Sequence, residues 1–206
     1  MFFSFDGVDG SGKSTQARLF CDWLLAGGHE VVVCRDPGST RLGDEIRTLL
    51  LHRDDLPLAR RAEMLLYMAA RAELVEEVIA PALAAGRTVV SDRFLLANVV
   101  YQGHAGGLDV ASLWQVGRVA TGGIEPDLTF VLDLDDARAG QRLNRPLDRM
   151  ERQGDEFRAA LRTGYLAEAA RSPDRVAVID AAGAIDDVQA EIRRVARARG
   201  PKGIAS

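Results

Sequence analysis

Lysine is almost missing from this 206-residue chain. It occurs only as Lys13 and Lys202, so 24 of the 26 basic residues are arginine. That scarcity excludes a conventional GTPase, whose guanine-reading Asn/Thr-Lys-x-Asp motif needs a lysine that neither position supplies. A basic excess is missing too: the formal net charge is −4. No nucleic-acid partner is therefore expected, because such a partner normally leaves a basic footprint. Only two cysteines occur, Cys21 and Cys34, each inside an apolar pattern. They are expected to be reduced core residues, forming neither a disulfide framework nor a metal site. No apolar run approaches the ~18 residues of a membrane span. The chain reaches Asp6 and Gly7 almost at once, so no secretory leader and a cytoplasmic location are expected.

What is present is an alternation of short apolar runs with longer helical patterns. Phe2–Asp6, Val31–Arg35, Thr88–Asp92, Leu128–Leu134 and Val176–Asp180 read as strands. Helices are expected over Lys13–Ala26, Leu42–Leu51, Leu58–Ala85 (kinked by Pro81), Leu95–Tyr101 and Val110–Ala120. A closing helix presents Ile185, Val188, Ile192 and Val195 on one face. Continuously apolar strands separated by helices predict an α/β three-layer sandwich with a central parallel five-stranded sheet. One domain is expected over residues 1–199, with an arginine-rich lid at about 138–155 and a flexible tail at 200–206.

Gly7-Val8-Asp9-Gly10-Ser11-Gly12-Lys13-Ser14-Thr15 fits the phosphate-loop pattern G-x-x-x-x-G-K-S/T, between a strand and a helix. The glycines let backbone N–H groups turn inward toward phosphate oxygens, and the helix N-terminus adds a favourable dipole end. Lys13 then reaches the β- and γ-phosphates of a nucleoside triphosphate, and Ser14 supplies a hydroxyl to Mg²⁺. A motor ATPase would be larger or arrayed. A small phosphate-loop protein with an arginine-rich segment better suits a kinase, which must enclose two anionic substrates and exclude water. The third strand ends in Asp92-Arg93, facing the ligand crevice of a parallel sheet. Arg93 could bridge two phosphates, and Asp92 is a second candidate Mg²⁺ ligand. Asp133 and Asp135, at the end of the fourth strand, are open between assisting Mg²⁺ and capping a helix.

Four blocks in order and spacing resemble the thymidylate kinase family: the phosphate loop with Asp9; Arg35-Asp36-Pro37-Gly38 followed by Ile46-Arg47-Thr48-Leu49-Leu50; Tyr67-Met68-Ala69-Ala70-Arg71; and Asp92-Arg93-Phe94 leading into Asn98, Tyr101, Gln102 and Gly103. The resemblance runs from Phe2 to about Ala198. It implies transfer of the γ-phosphoryl of ATP to dTMP, with Mg²⁺, in a homodimer. It also implies roles. Asp9 looks like the acid at the sugar 3′-hydroxyl, and Asp36 and Arg47 look like groups beside the acceptor phosphate. Pro37 and Leu50 belong to the same acceptor blocks. Tyr67 takes the place of the ring that stacks on thymine, and Arg71 that of the arginine bonding the base. Arg93 lies between the phosphates, Asn98 and Gln102 touch the base, and Tyr101 crowds the sugar 2′ side. Read without the resemblance, Tyr67 and Arg71 share a helix face at i and i+4 and fit equally a core ring and a surface cation.

Arg142, Arg145 and Arg149 fall in the segment resembling the family's lid, with Arg142 expected at the nucleotide. The phosphate loop's variable positions contain no arginine. The lid is therefore expected to supply the transition-state cation, Arg149 ahead of Arg145. The chain departs from the family at Ser39, where many members have glycine. It departs again at Phe94 and Ala97, where Tyr and Ser are common, and at His104-Ala105-Gly106-Gly107, which lacks the usual arginine. Two other readings stand beside thymidylate kinase: a phosphate-loop kinase for another nucleotide or nucleoside, and an inactive nucleotide-binding regulatory module.

Overall fold

The computed structural model describes residues 1–53, 55–142, 154–201 and 203–204. Arg145, Arg149 and most of the expected lid lie outside the described residues, as does Lys202. Five strands, β1 (Phe2–Gly7), β2 (Val31–Arg35), β3 (Thr88–Asp92), β4 (Leu128–Asp133) and β5 (Val176–Asp180), form one sheet in the order β2-β3-β1-β4-β5. All four pairings are parallel, with Phe5 opposite both Asp92 and Phe130.

The alternation of β1 sorts its side chains between two cores. Phe3 and Phe5 meet Phe20 of α1 (Lys13–Ala26), at ring centroid distances of 5.1 and 5.5 Å. Phe2 points the other way, edge-on to Phe94 at 5.0 Å. Ser4 and Asp6 therefore sit with Phe2 on that second face, and both are fully buried. α9 (Ile185–Arg199) lies beside α1 and buries Val188, Ile192 and Val195. Ile185, expected on that buried face, is exposed instead because it opens the helix at the rim of a cavity.

The second face is covered by α2 (Arg41–His52), α3 (Arg60–Leu74), α4 (Ala80–Ala84), α5 (Leu95–Asn98), α6 (Val110–Ala120) and α8 (Asp155–Arg171), with α7 (Asp136–Arg142) following β4. The long helix expected over 58–85 is divided. Val75–Ile79 forms a wider π turn, in which Ala80 N–H bonds Val75 O, directly before Pro81. Proline has no N–H to continue the ordinary ladder, so the chain restarts there as α4. Val99–Ala105 is a second π turn, where an ordinary helix was expected as far as Tyr101. Among the described residues no helix is long and apolar enough to cross a membrane. Cys21 and Cys34 are buried and free, and burial pushes their thiols up to about 11 and about 12.

Candidate active site

The loop between β1 and α1 closes tightly for a reason visible at Gly10. Its φ is +83°, and an added Cβ would lie 2.3 Å from the carbonyl oxygen of Ala139 in α7. No other residue type fits there. Gly7 and Val8 form the buried base of this loop. Residues Asp9 to Thr15 line a cavity of about 750 Å³, together with Arg35, Asp36, Arg47, Asp92, Arg93, Arg142 and the stretch after β5. Lys13 is 5% exposed; its Nζ donates to Val8 O at 2.9 Å and stands 3.4 Å from Asp9 Oδ1. Arg142 Nη1 donates to Ala181 O at 3.1 Å, closing one side of the cavity.

Arg93 is set at the tip of β3. Its backbone N–H donates to Phe5 O, its carbonyl accepts from Ser91 Oγ at 2.5 Å, and its φ is 68°, left-handed for a non-glycine residue. Such a conformation persists only where surrounding bonds enforce it. It aims the guanidinium at Asp9 Oδ1, 2.6 Å away, and at Tyr101 Oη, 3.0 Å away. Tyr101 in turn donates to Asp9 Oδ2 at 3.1 Å. Burial alone would raise the Asp9 carboxyl, but Arg93 and Lys13 overcome it and hold the group well below the usual carboxylate range. Burial, and then Arg93, pull the Lys13 ammonium down. Burial, Arg35 and Arg93 pull the Arg47 guanidinium down. Cations crowded into a partly dry cleft call for an anion to relieve them.

A second, narrow cavity of about 90 Å³ adjoins the first, lined by Pro37, Leu51, Tyr67, Arg71, Ala97, Asn98, Tyr101 and Gln102. Asp9, Asp36, Arg47 and Arg93 line both cavities. A chain of buried polar contacts runs along the narrow one. Arg71 Nε donates to Asp36 Oδ2 at 2.5 Å and Arg71 Nη1 to Asn98 Oδ1 at 2.9 Å. Asn98 Nδ2 donates to Gln102 Oε1 at 2.6 Å, and Gln102 Nε2 to Glu63 Oε1 at 3.2 Å. Arg71 is 1% exposed, which rules out a surface cation at that position. Burial pushes the Asp36 carboxyl up while Arg71 pulls against it, and Asp36 Oδ1 is left without a hydrogen-bond partner. Arg47 Nη1 donates to Pro37 O at 3.0 Å across the cis Asp36–Pro37 turn.

Several expected residues sit elsewhere. Leu50 is fully buried in the core, and the next residue, Leu51, faces the narrow cavity instead. Helix α2 turns its core-facing side through Leu50, so only its neighbour reaches the cleft. Asp133 is engaged by Arg162 through two bonds of 2.7 and 2.8 Å and lines neither cavity. Asp135 accepts from Arg138 N, as a cap for α7. His104 is turned away from both cavities, with Nε2 2.7 Å from Glu168 Oε1. Sequence reasoning missed Ala181 and Gly183 to Ile185, which line the larger cavity, and Glu63, which joins the polar chain through Gln102. The former follow a parallel strand directly, which is the signal that could have found them.

Ser14 Oγ donates to Asp92 Oδ2 at 2.5 Å beside Lys13. This hydroxyl–carboxylate pair is the donor chemistry that Mg²⁺ accepts. Among the described residues no group of three or more His, Cys, Asp or Glu side chains could hold a metal.

A strand–glycine loop–helix phosphate cradle, opening through shared side chains into a second narrow slot, defines a phosphate-loop kinase of the nucleoside monophosphate class. The family model for thymidylate kinase matches residues 5–192. A thymidylate kinase of Rhodopirellula baltica is 46% identical, over 92% of this chain and 77% of that protein. One from Pelotomaculum thermopropionicum is 46% identical, over 95% and 92%. The crystal structure of thymidylate kinase from Ehrlichia chaffeensis superposes with a TM-score of 0.77 at 31% identity, covering 95% of this chain and 97% of that one. The chain belongs to the thymidylate kinase family.

Proposed function

We propose that this protein transfers the γ-phosphoryl group of ATP to dTMP, giving ADP and dTDP. The observation that carries the reading is the wall common to the two cavities, where Arg93 and Asp9 meet with Lys13 beside them. ATP occupies the larger cavity, its phosphates on the glycine loop. The acceptor occupies the narrow one, its base between the Tyr67 ring and the Arg71–Asn98–Gln102 chain, and its phosphate near Arg47 and Arg93. The Tyr101 ring fills the space beside Asp9, which disfavours a ribose 2′-hydroxyl.

In the reaction an acceptor phosphate oxygen bonds to the γ-phosphorus as the bond to the β–γ bridging oxygen breaks. The acceptor oxygen is already anionic, so the protein need supply no nucleophile or base; positioning and charge neutralisation carry the catalysis. Lys13 exchanges its bond to Val8 O for phosphate oxygens, and Arg93 stabilises charge developing between the two phosphates. Arg142 holds the nucleotide side, and Arg149, or Arg145 in its place, adds a further cation from the lid. Mg²⁺, held by Ser14 and Asp92, would offset charge on the β- and γ-phosphates.

We place the enzyme in the cytoplasm as a homodimer. Leu42 of α2, Leu65 of α3 and Val119 of α6 are 47%, 53% and 83% exposed on neighbouring helices, an apolar face suited to a second copy. ADP release with Mg-ATP, measured side by side for dTMP, dUMP, UMP, CMP, AMP, GMP and thymidine, tests the function. A strong preference for dTMP is expected. Preference for another acceptor would overturn the base assignments of Tyr67, Arg71 and Asn98, and no acceptor-dependent release would leave a nucleotide-binding module.

A further inference from the structure

A third cavity, of about 630 Å³, lies between α6, α8, the Phe94–Leu96 segment and the first residues of β4 and β5. No residue lining it lines either of the other two. Its volume falls in the range of small-molecule sites, about 300–1,000 Å³. The walls are largely apolar, from Phe94, Leu95, Leu96, Val110 and Trp114. The indole of Trp114 is pinned: its Nε1 donates to Glu168 Oε2 at 3.1 Å. Glu168, 3% exposed, is also approached by His104 Nε2 at 2.7 Å and Arg171 Nη1 at 3.1 Å. This aromatic wall is therefore fixed before any ligand arrives.

The mouth carries three arginines, Arg118, Arg171 and Arg175, and three acids, but they are not paired one to one. Its three acids are all engaged: Glu168 as above, Glu125 with Arg175, and Asp109 with the N–H and hydroxyl of Ser112. Arg118, four residues after Trp114 and so on the same face of α6, has no hydrogen-bond or salt-bridge partner for its side chain among the described residues. Floor hydroxyls Ser4 and Thr129 are spent on each other at 2.8 Å. The cavity therefore offers an apolar aromatic surface and one guanidinium that no acid engages among the described residues. It has no glycine-rich turn or lysine with which to cradle a polyphosphate, so a second nucleotide is a poor fit.

We propose that this cavity binds a small aromatic anion, its ring against Trp114 and its carboxylate or equivalent head on Arg118. The site is independent of the phosphate-transfer centre. Equilibrium dialysis of the full chain against naphthoate, read by the ligand's own fluorescence, tests it. Saturable one-to-one binding is expected, undiminished by ATP or dTMP. Arg118→Ala should weaken it by about tenfold or more, since Arg171 and Arg175 are already paired with Glu168 and Glu125. Naphthylmethanol, the same ring without charge, should bind about tenfold more weakly or worse. Ala111→Trp, which fills the mouth from the exposed side of α6, should abolish binding. Both variants should keep the wild-type circular dichroism spectrum and ADP release rate. Absence of saturable binding, displacement by ATP or dTMP, or indifference to both substitutions would overturn the proposal.

Discussion

At Arg93 the strand tip turns left-handed (φ 68°), and the guanidinium reaches Asp9 and Tyr101. Arg93→Ala removes the cation that meets Asp9 in the wall common to both substrate cavities, while leaving the sheet untouched. It should lower kcat on the order of a thousandfold, ~4 kcal/mol of barrier, with an unchanged circular dichroism spectrum. Turnover within a few-fold of wild type would sink its assigned role. Asp6, two strand positions past Ser4, is a different case: burial pushes its carboxyl from 3.8 to about 7, against the pull of Arg93 and Lys13. Between these values the folded chain holds a proton that the unfolded chain has released. Stability should therefore fall as pH rises from about 4 to about 7 and stay low above that. Asp6→Asn cannot ionise, so it should flatten this slope and gain on the order of 2 kcal/mol at pH 8 but little at pH 4. Urea midpoints of both proteins at the two pH values check this, and parallel pH profiles would count against it.

Among the elements, the strands were the most legible part of the sequence. β2, β3 and β5 begin and end where their apolar runs do, although only β3 is buried along most of its length; the edge strands β2 and β5 leave Val33 and Val178 exposed. α8 went unread. Its buried side mixes Leu161 and Tyr165 with Glu168, and Gly164 lies where an added Cβ would meet His104. A face built partly from a charged residue and a glycine shows no apolar period. Both π turns were missed because their cause lies in hydrogen-bond geometry rather than in residue pattern. In the site, motif residues such as Lys13 and Arg93 were legible through spacing. The pairing of Arg71 with Asp36 was not, since it joins α3 to the end of β2 across 35 positions. The departure at Ser39 also gains a physical account. Its φ is 66°, where glycine is at ease, and its Oγ accepts a bond from Arg35 N at 3.0 Å. The Gly10 contact joins the glycine loop to α7, so Gly10→Ala must push one from the other. The KM for ATP should rise about tenfold or more while the KM for dTMP changes far less. Steady-state kinetics with each substrate varied in turn measures the difference, and equal shifts in both would contradict it.

For the molecule as a whole, the separation of faces is the organising fact. Phosphate-binding residues collect at the carboxyl ends of the parallel strands, as expected for such a sheet. Leu42, Leu65 and Val119 are exposed on α2, α3 and α6, which pack side by side. If that flank joins two copies, sedimentation velocity should show a dimer for the wild type. Val119→Arg should shift it toward monomer by setting like charges at the seam. A monomeric wild type would remove the dimer from the proposal without touching the catalytic reading.

The near-absence of lysine has a practical side. Lys13 is the only lysine among the described residues, and it lies sealed in the cradle with its nitrogen on a backbone oxygen. A reagent that acylates free amines can reach it only when that cradle opens. Mass spectrometry of the peptide carrying residue 13 would thus act as a clock for opening, slowed by any nucleotide that keeps the door shut.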